Sequence, residues 1–292
     1  MASIVKNSDL RIGLFDSGVG GLTVLRQIYR QMPSESVLYF GDTLRLPYGT
    51  KSPEEILQYV REIIDWMLTQ GVKMVIMACN TSSALALETV QDEYDIPILG
   101  LILPGARAAV KKGKKIGVIA TPATAASDAY GQAIREIDSK IQVWQVGCPE
   151  FVPLIEQNQL NSPHTVEVAH KYLQILIDQR IDTLIYGCTH YPHLEKIFQL
   201  ILPQSVNIID PAKYIVAAAQ KELELMGLKN SKGASSEINS EAYVARQAHP
   251  STRFCVSGSA SKFASLAQQW LDYFPQVEQV TLNEQLTIGK EQ

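Results

Sequence analysis

A chain of 292 residues, 46% hydrophobic and 19% charged, can bury a sizeable core as one large domain or two of ordinary size. Its net charge of −4 supplies no electrostatic footprint for nucleic acid or for an anionic membrane surface. No apolar run approaches membrane-spanning length and MASIVKNSDLR lacks a signal peptide's apolar core, so the expectation is a cytoplasmic protein whose 4 cysteines are thiols, with no disulfide framework.

Residues 11–15 read as a short apolar strand, followed by Asp16-Ser17-Gly18-Val19-Gly20-Gly21 and a helical stretch over 22–29. Small residues at such a turn bring backbone N–H groups close to a ligand, and the adjoining helix N-terminus favours an anion such as a carboxylate. The glycine spacing is not GxGxxG, so no dinucleotide site is expected. A strand over 36–40 leads into a loop, 41–49, that holds an acid, an arginine and Pro47-Tyr48-Gly49. Residues 52–70 form an amphipathic helix with Ser52 as cap and Pro53 at the first position. A buried strand over 74–78 ends in Cys79-Asn80-Thr81-Ser82-Ser83, and an Ala/Leu-rich helical pattern follows. A strand over 96–101 and a helix over 104–112 complete the first round.

The second round opens with a strand at 115–120, then Thr121-Pro122-Ala123-Thr124 and a helix running to Ile137. A strand over 141–146 enters a loop, 147–154, with Glu150 between two prolines. A helix over 162–179 precedes a strand at 183–186 that ends in Gly187-Cys188-Thr189-His190 and runs into another helical pattern. A strand at 206–209 and a helix over 212–226 follow. Residues 229–251 are polar, rich in Ser, Asn and Ala and without period, and read as a mobile insertion. A strand over 253–256 and a helix over 261–273 come last, with fraying expected after Thr287. Strand and helix alternate throughout, which predicts an α/β fold of two similar lobes, each a mainly parallel sheet flanked by helices, with the active site in the cleft between them. The expected division is 1–99 plus 208–292 for the first lobe and 100–207 for the second.

The two rounds share one grammar: a buried strand ending in a cysteine, a polar turn, a helix. Ligands of open α/β sheets bind at the carboxyl ends of strands. Two such thiols facing each other across a cleft would suit a reaction in which a proton leaves one face of a carbon and arrives on the other. A thiol can hold or release that proton when a neighbour tunes it. Asp16 is the candidate neighbour of Cys79, and His190 of Cys188. The plainer readings stand beside these. Cysteine is often simply buried, and Cys148 and Cys255, which lack the echo, are read as core thiols. Cys188, His190 and His193 form a CxHxxH pattern, but no matching ligand set occurs elsewhere, so no metal site is expected. Asp16-Ser17, Thr121 and Thr124 could be helix caps, which is compatible with holding a carboxylate. Glu150 is open between an exposed turn acid and a site residue. A ligand-binding protein that kept the cleft without catalysis is a further alternative.

The chain resembles the cofactor-independent glutamate racemases of the aspartate/glutamate racemase superfamily. The resemblance rests on FDSGVGGLTVL (15–25), GDTLRLPYGTKS (41–52), ACNTSSA (78–84), IGVIATPAT (116–124), CPEFVPLIE (148–156) and GCTHYPHL (187–194) in that order. It implies interconversion of L- and D-glutamate by two cysteine bases, without pyridoxal phosphate or metal, supplying D-glutamate for peptidoglycan. Cys79 would take the α-proton from D-glutamate and Cys188 from L-glutamate, assisted by Asp16 and His190, with Glu150 a further family candidate near Cys188. Substrate contacts are implied at Asp16, Ser17, Pro47, Tyr48, Gly49, Asn80, Thr81, Thr121, Thr124 and Thr189. The partner implied is glutamate itself, and dimers among the family's members leave a homodimer possible. Leu46, Tyr186 and Ser259 depart from the residue types common at those positions, and the 229–251 insertion is longer than in compact members.

Overall fold

The computed structural model describes residues 7–230 and 251–282. Most of the expected insertion, 231–250, and the expected frayed end lie outside the described residues. In chain order the strands are β1 (Arg11–Asp16), β2 (Val37–Gly41), β3 (Val72–Met77), β4 (Ile98–Gly100), β5 (Lys115–Ala120), β6 (Gln142–Gly147), β7 (Thr183–Gly187), β8 (Asn207–Ile209), β9 (Thr252–Val256) and β10 (Val277–Gln279). The helices are α1 (Leu22–Gln31), α2 (Pro53–Thr69), α3 (Asn80–Leu85), α4 (Leu87–Gln91), α5 (Ile102–Val110), α6 (Pro122–Ala126), α7 (Ala129–Ile137), α8 (Phe151–Glu156), α9 (Pro163–Asp178), α10 (Glu195–Ile201), α11 (Pro211–Leu225) and α12 (Ala260–Leu271).

Among the described residues the strands form two sheets, ordered β10-β9-β2-β1-β3-β4 and β6-β5-β7-β8. Every pairing in them is parallel. Parallel strands must be covered on both faces, which is why β2, β3 and β7 are continuous buried runs without polar alternation. The echo between the two rounds is topological. In the first, the chain leaves β1, pairs β2 on one side, then returns to place β3 and β4 on the other. In the second, β5, β6, β7 and β8 repeat that path. Cys79 after β3 and Cys188 after β7 therefore occupy equivalent positions next to the strand at which each sheet's order reverses. That switch point is where open α/β sheets leave a crevice.

Local signals act as their chemistry predicts. Ser52 accepts from the Glu55 N–H at 3.2 Å and Glu55 Oε2 accepts from the Ser52 N–H at 2.9 Å, a capping box with Pro53 at the first position of α2. Ser162 with Pro163 and Asp210 with Pro211 start α9 and α11 with a side-chain cap and a proline at the first position. Four details differ from the sequence reading. The helix expected to run through Ile137 breaks at Asp128, whose φ of 55° is left-handed, giving α6 and α7. The expected loop over 147–154 is partly helical, since Phe151 begins α8. The edge strand β10 was not foreseen, because it is short and half-exposed and so carries no apolar run. The expected division also shifts. Ile208 and Ile209 pair with Leu184 and Ile185 in the second sheet, while Gly100 pairs with Met77 in the first. The return from the second sheet thus falls at Asp210-Pro211, and α11 then packs on both α1 and α5. One buried apolar cluster includes Ala78, Leu101 and Ile119 and continues between the sheets.

Candidate active site

Three polypeptide segments from the first sheet and three from the second converge on one cavity of about 120 Å³. Cys79, Asn80, Thr81, Ser17 and the Pro47-Tyr48-Gly49 loop line it from one side. Thr121, Cys188, Thr189 and His190 line it from the other.

Cys79 ends the β3 run in extended conformation and precedes α3. The polar run after it divides by task. Ser82 and Ser83 turn back and donate to the Cys79 carbonyl oxygen at 3.0 and 2.8 Å, whereas Asn80 and Thr81 face the cavity. Burial, and then the negative charge of Asp16, push the Cys79 thiol up to about 12, against the backbone N–H groups of Ser82 and Thr81 that favour its thiolate. Asp16 is fully buried at the end of β1. It accepts from the Gly18 N–H at 2.8 Å and from the Thr189 hydroxyl at 3.0 Å, so a carboxylate from the first sheet is fixed by the strand-end turn of the second. Burial raises its pKa above the usual carboxylate value even though the His190 charge and these donors pull the other way.

Cys188 has a different neighbour. His190 Nδ1 lies 3.8 Å from Cys188 Sγ, and His190 Nε2 lies 2.8 Å from Glu156 Oε1. Burial alone would discharge this imidazole, but the sulfur and the Glu156 carboxylate outweigh it and hold its pKa well above the ordinary histidine value. The arrangement is a thiol, an imidazole and a carboxylate in series, the third member orienting the second.

The DSGVGG turn supports this from beneath. A Cβ on Gly20 would come within 2.4 Å of His190 Nδ1 and 2.5 Å of Thr189 Oγ1. The sequence suggested that these glycines bring backbone to a ligand, but Gly20 instead leaves room for the histidine of the other half. Gly49 plays the same part opposite Thr121, where a Cβ would sit 2.7 Å from the threonine Cβ. Thr121, Thr124 and Thr81 join in a ring of hydroxyls at 2.9, 2.9 and 3.2 Å, and Thr121 also caps α6. Tyr48 is held by donating to Asp42 Oδ2 at 2.6 Å, and Asp42 Oδ1 accepts from Ser257 at 2.7 Å.

Of the residues expected from the sequence, Asp16 and Thr124 sit one bond behind the wall, the rest named above line it, and Glu150 does neither. Glu150 lies at the start of α8 and pairs with Lys171 at 3.3 Å, with its side chain 38% exposed. The acid that reaches His190 is Glu156, at the other end of α8. In the sequence Glu156 is marked only as the last residue of CPEFVPLIE. The signal that could have found it is periodicity: Glu150 at the cap of α8 and Glu156 at its last position point to different faces, with Phe151, Val152, Leu154 and Ile155 buried between them. Asp42 was likewise seen only as an acid in a mixed loop. Cys148, read as a core thiol, is part of the cavity wall, but its Sγ donates to the Val146 carbonyl at 3.4 Å and burial pushes its pKa upward. Cys255 is fully buried in β9. His193 lies against the Trp270 ring, and among the described residues no group of three or more His, Cys, Asp or Glu side chains is placed to hold a metal ion. No described helix is long and apolar enough to cross a membrane.

Comparison with known proteins points to one family. The family model described as Asp/Glu/hydantoin racemase matches residues 12–219. Glutamate racemase of Gloeothece citriformis is 64% identical over 271 residues, covering 93% of this chain and 92% of the relative. Glutamate racemase of Synechocystis is 62% identical over 272 residues, covering 93% and 92%. Among solved structures, a glutamate racemase isoform of Bacillus anthracis superposes with a TM-score of 0.85 at 36% identity, covering 94% of this chain and 98% of that one. The glutamate racemase of Francisella tularensis in complex with D-glutamate gives 0.84 at 33% identity, covering 95% and 99%. A duplicated parallel sheet with one thiol at the equivalent strand end of each half, together with these likenesses over nearly the whole chain, places the protein in the aspartate, glutamate and hydantoin racemase family, among its glutamate racemases.

Proposed function

We propose that the chain interconverts L- and D-glutamate in this cavity by a two-base proton transfer between Cys79 and Cys188. The observation that carries the reading is that the two thiols stand at equivalent strand ends of two sheets and line one cavity, each with its own acid–base neighbour. Starting from L-glutamate, the Cys188 sulfur takes the α-proton. The electron pair left on the α-carbon delocalises into the carboxylate, and the Cys79 thiol delivers a proton to the opposite face. One proton enters and one leaves, so the reverse reaction needs only the opposite protonation states. His190, oriented by Glu156, serves Cys188, and Asp16 serves Cys79. A carboxyl whose pKa burial has raised is the better matched acceptor for a thiol proton.

The α-proton of an amino acid is weakly acidic, so the carbanion needs electrostatic help in place before the transfer. The N-terminus of α3 at Asn80-Thr81, the hydroxyl ring of Thr81, Thr121 and Thr124, Ser17, Thr189, and the Pro47-Tyr48-Gly49 loop supply donors and shape for the two carboxylates. Two lobes built on the two sheets, meeting near Leu101 and Asp210, would open to admit glutamate and close to exclude water. The D-glutamate so made would serve peptidoglycan synthesis in the cytoplasm. Light scattering of the purified chain decides whether a homodimer forms.

The test of the chemistry is racemisation of L-glutamate in deuterated water, followed by circular dichroism and by NMR of the α-proton. Two bases predict that deuterium enters almost entirely with inversion. Rapid wash-in with retained configuration would mean that one base does both jobs.

A further inference from the structure

Asn80 is the first residue of α3 and forms part of the cavity wall, with 2% of its surface exposed. The two ends of its side-chain amide have opposite character: Oδ1 only accepts hydrogen bonds and Nδ2 only donates them. Which end faces the cavity decides whether that wall attracts or repels a carboxylate. Tyr130 stands on α7, on the other side of the cleft, and is fully buried. Its hydroxyl donates to Asn80 Oδ1 at 2.7 Å. We propose that Tyr130 is a positioning residue that locks the Asn80 amide with Nδ2 turned to the substrate, making this wall a carboxylate donor.

The reason is the placement of one proton. A buried phenol needs an acceptor, and Asn80 Oδ1 is the one it has. Burial raises the Tyr130 pKa well above the usual phenol value, so the proton stays on the oxygen. If the amide turned over, the phenol would face Nδ2, its proton would be stranded, and Oδ1 would point at an incoming carboxylate. Among the described residues Asn80 Nδ2 donates to no protein acceptor, and it is not one of the sealed, unpartnered polar atoms. It is therefore the end left for a ligand. The neighbouring Thr81 is tied across the same gap to Thr121 and Thr124. The start of α3 is thus aligned from the opposite half, and its donor is in register only when the two halves are docked.

The inference rests on Asn80 being a substrate contact, and the experiment separates the two. Steady-state racemisation is measured for the parent, Asn80→Ala, Tyr130→Phe, the double variant and Asn80→Asp, with a melting curve for each. Losing one donor to a charged carboxylate is worth about tenfold in affinity. Asn80→Ala should therefore raise KM about tenfold, and Tyr130→Phe should raise it several-fold, with kcat changed far less in both. The double variant should be no worse than Asn80→Ala, because Tyr130 acts only through Asn80. Asn80→Asp leaves Tyr130 in place and puts an oxygen where Nδ2 was, so it should raise KM well beyond the alanine variant. If Asn80→Ala leaves KM unchanged, Asn80 is no substrate contact. If it raises KM while Tyr130→Phe does not, or if the two effects multiply, the lock is wrong and the substrate contact stands. An Asn80→Asp variant that binds like the alanine variant overturns the amide orientation even should Tyr130→Phe fail to fold.

Discussion

Cys79 and Cys188 end equivalent strands of two sheets with the same order of connection, yet their surroundings are not copies. Beside Cys79 stands a buried carboxylate, Asp16, whose charge adds to burial in keeping the sulfur protonated. Beside Cys188 stands His190, backed by Glu156, and the sulfur and that carboxylate favour the charged form of the imidazole. The duplicated topology brings the two thiols to one cavity, and their different neighbours give them different chemistry. An acid–base pair that must hand a proton in one direction and accept it in the other benefits from two neighbours of opposite character, one favouring the thiol and one drawn toward its charged form. The halves are also cross-wired: Thr189 of the second bonds Asp16 of the first, and Gly20 of the first makes room for His190 of the second. Neither thiol site is complete within its own sheet.

The largest effect that would break the pairing is loss of either thiol. Cys79→Ser and Cys188→Ser should each lower racemisation by about a thousandfold or more, the scale of a positioned acid–base group. The losses must be equal in both directions, because enantiomers have equal free energy and kcat/KM for the two cannot differ. What should differ is the residual exchange. Cys79→Ser should still exchange the α-proton of L-glutamate with retention, and Cys188→Ser that of D-glutamate, as read by α-proton NMR. Near-normal turnover by either variant would sink the two-base scheme.

The next effect falls on the imidazole. Glu156→Gln removes a charge-assisted bond to His190 and should lower kcat about tenfold to a hundredfold. The stability difference carries a pH signature. His190 has a folded-state pKa raised above 6.5, so its contribution is full below 6.5 and fades as pH rises through the folded value. The melting temperature of Glu156→Gln should therefore trail the parent more at pH 6 than at pH 9, and a gap that widens with pH would contradict the charged pair.

On the other side of the cleft the sign reverses. Asp16 has its folded-state pKa raised above 3.8, so its own contribution is full below that value and is lost as pH rises through the folded pKa. Asp16→Asn, which keeps an acceptor for the Gly18 N–H, should cost activity but gain stability relative to the parent as pH climbs from 3.8 to neutrality. Thermal melts across that window check it. The smallest effect belongs to Glu150→Gln. An exposed ion pair with Lys171 is worth no more than about 1 kcal/mol, so turnover should stay within about twofold of the parent and the melting temperature should scarcely move. A loss comparable to that of Glu156→Gln would restore Glu150 to the site.

Much of the fold was legible because parallel strands and their helices are encoded locally. Continuous apolar runs, Ser-x-x-Glu before α2, and Ser-Pro or Asp-Pro before α9 and α11 each act within a few residues. The strand-end thiols and their neighbours Asp16 and His190 were legible for the same reason, since each sits at the end of such a run. Glu156 was not, because only the winding of α8 and its packing against the 191–194 turn decide whether Glu156 or the capping Glu150 reaches His190. The edge strand β10 and the pairing of Ile208 and Ile209 with β7 escaped too, since three-residue strands are chosen by the neighbour available and not by their own pattern.

By itself the sequence determined which residue types stand at the ends of the strands, and therefore that two thiols, a carboxylate, an imidazole and a row of hydroxyls are available to one reaction. The tertiary structure decided their partners. Hydrogen bonds such as Thr189 to Asp16, Tyr130 to Asn80 and His190 to Glu156 join residues 34 to 173 positions apart. Sequence patterns carry the periodicity of one element, whereas the charge on a buried group depends on what lies within a few ångströms of it. Only the docking of the two sheets brings those groups there.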